Sequence, residues 1–182
     1  MSRPRADAVT IPARITAQEL ANAIGRNVSE VTAILTARQE PDGTEDVLSA
    51  DLALETANVL GASVVIEARD LTLECLYTYE SVGELAEAPS GRAGHLFTGV
   101  TSQLDQLDAR IEAASDHWSV VRMPVLDRNI LRIGLYELEN DRDTPTAVIV
   151  AEAVRMAQTY STERSGSFVN GVLAALAEDI RG

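Results

Sequence analysis

The sequence predicts an all-α fold, with a small three-helix module followed by a two-bundle helical domain. Three observations carry that expectation. Apolar residues recur at spacings of three and four along most of the chain. The periodic runs are entered by Thr, Asn, Ser or Thr-Pro signals that suit helix starts. Glycines close several of them. At 182 residues, 46% hydrophobic and 24% charged, the chain can bury one good core or two small ones. The expected boundaries are a flexible tail over 1–10, the module over 11–67 and the larger domain over 68–182.

In the module, Thr16-Ala-Gln-Glu19 reads as a capping box, a hydroxyl at the N-cap with a carboxylate three residues on. Leu20, Ala21 and Ile24 follow at helical spacing, and Gly25 stops the run. A second helix opens near Asn27-Val-Ser-Glu30 and carries Val31, Ile34 and Leu35; Glu40-Pro-Asp-Gly43 breaks it. Ser49 caps a third, with Leu52, Leu54, Ala57 and Leu60, ending at Gly61 before the apolar Val64-Val65-Ile66.

The larger domain opens on A-R-D-L-T-L-E-C-L-Y-T-Y-E from Ala68, a helix with Leu73, Leu76 and Tyr77 inward. A loop over Ala86 to Gly94 leads to a helix from about Leu96 to Ala113, with Leu104, Leu107 and Ile111 on its apolar face. Trp118 is expected to pack where that helix meets the next. Pro124 breaks the chain, and Asp127 is placed to cap a helix through Glu139 with Ile130, Leu131, Leu135 and Leu138 buried. Gly134 allows a neighbouring helix to come close. Thr144-Pro145 reads as an N-cap followed by Pro at the first helical position. Ile149, Val150, Ala153, Val154 and Ala157 face inward there, and Val169, Val172, Leu173, Leu176 and Ile180 form the stripe of the last helix.

Composition excludes much chemistry. Net charge is −13, and every basic side chain is Arg, so lysine-dependent phosphate loops and Schiff bases are ruled out. Cys75 is single, and His95 and His117 stand apart without metal-ligand spacing, so no metal and no cofactor is expected. Asp105 and Asp108 read as an ordinary solvated helix face, and no nucleophile–base arrangement marks an enzyme. The N-terminus lacks a signal-peptide core and no run is long enough to span a bilayer, so a cytoplasmic chain without membrane contact is expected. Residues 1–67 hold 5 Arg and 10 acids, and residues 68–182 hold 10 and 18, so neither half is a basic module. Any nucleic-acid contact must be a local patch.

W-S-V-V-R-M-P-V-L-D-R-N-I-L-R-I-G-L-Y-E-L (118–138), D-T-P-T-A-V-I-V-A-E-A-V-R-M-A (143–157) and F-V-N-G-V-L (168–173) follow in fixed order. Together they resemble the core of the NusB family of transcription antitermination factors. The resemblance extends over 68–182 and implies a NusB-like fold. It also implies binding of boxA-type RNA with the ribosomal protein NusE, inside the RNA polymerase antitermination complex. In that family RNA is held largely by a basic arm entering the first helix; here the stretch reads S-V-V-I-E-A-R-D-L, with Arg69 as its basic residue. Phe168 matches an aromatic on the family's RNA surface, and Arg164 and Ser167 stand beside it near a helix N-terminus, where a phosphate can be held and a base stacked. The alternative for Phe168 is a core residue with Arg164 a solvated charge. Asn170-Gly171 reads structurally, as a close helix contact and a backbone hydrogen bond. Glu137, Glu139 and Glu152 are expected as exposed acids that would receive basic NusE.

I-T-A-Q-E-L-A-N-A-I-G-R-N-V-S-E-V-T-A-I-L and L-S-A-D-L-A-L-E-T-A-N-V-L-G-A-S-V-V-I-E resemble the N-terminal helical module of bacterial translation initiation factor two, over roughly residues 11–67. Three functions stay open on sequence: an antitermination factor, a protein-binding adaptor without RNA binding, and a DNA-binding regulator using the helix pair over residues 17–38.

Overall fold

A computed structural model describes residues 8–44, 46–83, 88–116 and 118–182. It divides into two compact units, Met1–Leu71 and Thr72–Gly182.

The first unit holds α1 (Ala17–Ala23), α2 (Val28–Ala37) and α3 (Ala50–Val59). The capping box read at Thr16 forms and a second stands at Asn27: Thr16 Oγ1 accepts from the Glu19 amide at 3.2 Å, and Asn27 donates its amide to the Glu30 carboxylate at 3.1 Å. Gly25 takes φ +66° to end α1. Four short strands join these helices, so this unit is not all-helical. β1 (Val9–Ile11) pairs in parallel with β4 (Val64–Ile66), and β2 (Ile15–Thr16) pairs antiparallel with β3 (Val47–Leu48). Val9 and Thr10, expected in the tail, are therefore strand residues. Ile11, Leu20, Val31, Leu35 and Leu48 make the core. On α3 the buried face is Ala50, Ala53, Thr56 and Ala57, and Leu52, Leu54 and Leu60 are only partly covered.

The second unit is helical: α4 (Ala68–Val82, in this unit from Thr72), α5 (Gly91–Thr101), α6 (Leu104–Ala114), α7 (Val125–Asn140), α8 (Thr146–Tyr160) and α9 (Ser165–Arg181). Leu73 and Leu76 are buried, but Tyr77 is 48% exposed, because the inward face runs through Thr72, Leu76 and Tyr79 instead. The single helix expected over 96–113 is two. Thr101 and Ser102 donate their hydroxyls to the carbonyls of Phe97 and Gly99 at 2.8 and 2.9 Å, and Gln103 (φ −127°, ψ 17°) leaves the helical region. The first residues of the loop expected from Ala86 lie outside the described residues, as do residues 1–7 and His117.

α7 is the axis of this unit. Every residue from Asn129 to Leu138 is buried. Gly134 admits α9, since a Cβ there would meet Leu173 at 2.8 Å. Asp127 does not cap α7, which begins at Val125; it lies in the first turn and is buried. The Thr144-Pro145 signal is displaced by one residue, with α8 starting at Thr146 and Thr144 Oγ1 donating to Asp141 at 2.8 Å.

Arg132, 6% exposed, is the charge this core has to satisfy. Its guanidinium donates twice to Asp108, each at 2.7 Å, once to Asn129 at 2.8 Å, and also to Glu80. Arg128 donates to the same Glu80 at 3.0 Å, so one network joins α4, α6 and α7. Asp108 is thus a structural partner and not a solvated acid. Burial pushes the Glu80 carboxyl up, but the two guanidinium groups outweigh it and hold Glu80 below its ordinary value of 4.5. Stability from Glu80 is therefore complete above pH 4.5 and disappears as pH falls through the lower folded value. Arg132→Ala strands the Asp108 carboxylate and leaves Glu80 with Arg128 alone, and is expected to cost about 3 kcal/mol, read from the urea midpoint at pH 7. Glu80→Gln is expected to flatten the acid limb of a pH–stability curve below pH 4.5.

Candidate nucleic-acid interface

The N-terminus of α9 is fixed by a buried carboxylate. Asp127 accepts from Ser161 Oγ at 2.5 Å and from Ser165 Oγ at 2.9 Å, tying the first turn of α7 to the α8–α9 junction. Ser165 is 2% exposed, so the helix start cannot drift. One turn on, Phe168 is half-buried and meets Trp118 edge-on, ring centroids 5.1 Å apart and planes at 60°. Trp118, expected to pack where α6 meets the next helix, follows α6 and is 43% exposed, with Phe168 against its ring. Neither reading of Phe168 from sequence is complete: it packs on the core and also carries an open aromatic partner.

Arg164 and Ser167 are exposed beside Phe168. The Ser167 hydroxyl donates to the Arg164 carbonyl at 2.9 Å, leaving its oxygen free to accept. Arg164 and Arg122, which ends the 3-10 turn Val120–Arg122, make no ion pair among the described residues. The two segments that bring the aromatic pair together share a further property. Residues 117–126 and 164–177 contain no Asp or Glu, in a chain with 28 of them. Trp118 and Arg122 were not singled out from sequence as contact residues; that acid-free pattern is the signal that points to them. Helix amides and an arginine at one end, with an aromatic surface beside them, can hold a phosphate and stack a base.

Arg69 is placed differently. It is 8% exposed, its guanidinium lies 3.4 Å from Glu67, and the Glu67 carboxylate caps α4 by accepting the Arg69 and Asp70 amides at 2.6 and 3.0 Å. An arginine held this way is a structural cation, not the open phosphate ligand expected of it. The expected row of exposed acids is also corrected. Glu137 is 1% exposed and bound by Arg92 at 2.6 Å, beneath a 320 Å³ hollow lined by His95, Tyr136 and Asp141. Glu139 is ion-paired with Arg110, and Glu152 with Arg155 at 2.9 Å. Each acid meets an Arg of the same unit, so Glu137 offers no surface to a partner and the other two offer part of theirs.

On the helix pair over residues 17–38 the exposed face of α2 presents Glu30, 3.8 Å from Arg26. Arg26 also donates to the Leu60 carbonyl at 2.9 Å, and Arg38 pairs with Glu55. Both arginines of that pair are engaged within the unit, which leaves little for a DNA backbone. Among the described residues no helix is long and apolar enough to cross a membrane, and no group of three or more His, Cys, Asp or Glu is placed to share a metal ion.

The signature of the NusB family matches residues 52–178. The chain belongs to the NusB family of transcription antitermination proteins. It is 39% identical over 126 residues to the transcription antitermination protein NusB of Sorangium cellulosum, a match spanning 62% of this chain and 90% of that one. With NusB of Acidothermus cellulolyticus it is 48% identical over 84 residues, 46% of this chain and 58% of the relative. Its structure is similar to T. maritima NusB (TM-score 0.57, 31% identity, covering 63% of this chain and 91% of that chain). A crystal structure of the antitermination factors NusB and NusE in complex with double-stranded RNA also matches, at TM-score 0.53 and 25% identity, covering 62% of this chain and 94% of the matched chain.

Asp127 is the hinge pin of the site. Asp127→Ala leaves the buried Ser165 hydroxyl and the half-buried Ser161 hydroxyl without their carboxylate acceptor and is expected to lower stability by about 1–3 kcal/mol. Amide exchange over 165–169 should accelerate with it; exchange unchanged from wild type would refute the assignment.

Proposed function

We propose that this protein is an antitermination factor that binds boxA-type RNA together with NusE, as part of the RNA polymerase antitermination complex. The observation that carries the RNA contact is the half-open Trp118–Phe168 pair, built from two acid-free segments with Arg122 and Arg164 on them. Stacking on such a surface contributes about 1–3 kcal/mol per base. The α9 amides and Arg164 supply the phosphate contact, and Ser167 an acceptor beside it. Elsewhere the net charge of −13 repels RNA and confines it to this face, while favouring a basic ribosomal protein. The solved complex of NusB and NusE with double-stranded RNA supports RNA and NusE as partners of one fold. For NusE, the partly open Glu139 and Glu152 remain contact candidates, and Glu137 acts only by holding Arg92 in place.

Burial of Arg69 removes one phosphate contact, so RNA affinity of the chain alone is low and NusE makes up the difference by linking a second RNA-binding surface. The same burial favours the second reading, an adaptor that keeps NusE and has lost RNA. Titrating boxA RNA and a scrambled RNA, with and without NusE, at two salt concentrations separates the two. The expected result is a boxA preference that strengthens with NusE and falls at least tenfold in Phe168→Ala. With two open arginines, the chain's own share of the slope of log K against log salt is about −1.4. No preference for boxA over scrambled RNA in the presence of NusE would overturn the first reading, and NusE binding with neither RNA held would establish the adaptor.

A further inference from the structure

Each of the eleven glycines but one has a reason inside the chain. Gly25, Gly61, Gly83 and Gly91 take positive φ, and at Gly43, Gly94, Gly99, Gly134, Gly166 and Gly182 a Cβ would come within 3.0 Å of a neighbouring atom, which would have to shift. Gly171 has neither. It lies inside α9, it is exposed, and a Cβ there would meet nothing within 4 Å. The close helix contact expected for it does not exist. A glycine inside an exposed helix weakens that helix by about 1 kcal/mol relative to alanine, here with no contact or strain relieved in return. Beside it Asn170 is exposed, and its amide makes no hydrogen bond among the described residues. Its expected backbone bond is therefore also missing.

Gly171 is one turn beyond Ser167 and Phe168, at i+4 and i+3, so its bare backbone continues the surface that begins at the Trp118–Phe168 pair. No acid occurs on α9 until Glu178. We propose that the backbone of the bound RNA crosses α9 at Gly171, which is kept without a side chain for that approach. Asn170 would hydrogen-bond a ribose hydroxyl or a base edge there. A residue whose absent side chain harms the free protein and helps nothing within it is explained by what must come near it. The inference rests on the RNA reading above, and its occupant is the same strand.

The test uses the full chain with NusE, boxA RNA as the probe, and the variants Gly171→Ala, Gly171→Gln, Asn170→Ala and Phe168→Ala. Gly171→Ala is expected to raise the melting temperature by a few degrees, and Gly171→Gln to leave it unchanged or higher. Gly171→Gln is expected to weaken RNA binding at least tenfold, with Gly171→Ala and Asn170→Ala intermediate and NusE binding intact. If Gly171→Gln and Asn170→Ala bind RNA like wild type while Phe168→Ala does not, the crossing point is wrong and the RNA reading stands. If wild type itself shows no boxA preference, both fall. A lower melting temperature in Gly171→Ala would reveal an internal role for the glycine and overturn the proposal. So would loss of NusE with RNA binding retained.

Discussion

A helix buried around its whole circumference has no solvent face on which to leave charge, so every charged side chain along it must be met from another element. α7 is in that position from Asn129 to Leu138, and it carries Asn129, Arg132 and Glu137 within the buried run. Arg132 draws in Asp108 from α6 and Glu80 from α4, Glu137 draws in Arg92 from α5, and Asp127 at the helix start draws in Ser161 and Ser165. The Arg181 guanidinium closes the far end by donating to the carbonyls of Glu137 and Leu138, at 2.9 and 2.8 Å. These bonds are charge-assisted and directional, so they set where the surrounding helices lie along α7 and not merely that they touch it. Buried ion pairs add less to net stability than an apolar core of the same volume; here they fix one arrangement of six helices.

The same constraint explains which parts of the chain could be read in advance. Capping boxes are written in four consecutive residues, and Thr16–Glu19 and Asn27–Glu30 fold as their sequence says. Apolar spacing placed the buried stripe of α9 through Val169, Val172, Leu173 and Leu176. The strands were not legible, because two- and three-residue runs carry no period and Val9 finds Val64 across most of the first unit. Nor was the break between α5 and α6. It depends on two hydroxyls turning back on carbonyls, a local choice that helical spacing alone leaves open.

The site was legible in part, and the misses share one cause. Glu137, Asp108 and Arg69 looked like surface charges because charge on a helical wheel is read as solvent exposure. Each is a buried or half-buried partner in a pair whose other member lies on a different element or, for Arg69, two residues upstream. Pairing across elements is invisible to a pattern that looks only along the chain. Phe168 and Arg164 were recoverable because the motif that contains them is local. Trp118 was visible as a residue but not as their neighbour, since 50 positions separate it from the ring it touches.

What lets so acidic a chain carry the face proposed for RNA is where the acids are not. Six arginines of the second unit, at 92, 110, 128, 132, 155 and 181, are bound to carboxylates or carbonyls, and their charge is spent on holding helices. The acids they meet are neutralised along with them. The first 14 residues from Arg164 carry no carboxylate, which along a helix is about 20 Å at 1.5 Å per residue. That exceeds the roughly 8 Å over which exposed charges act at physiological ionic strength. Glu163, just upstream, is the acid adjoining Arg164 in sequence and would weaken a phosphate contact there, so the proposed RNA affinity would fall to stacking and close approach more than to charge. Such an interface reads shape and aromatic faces first. Its geometry depends on α9 starting at one fixed place, and the buried Asp127 sets that place from inside the core.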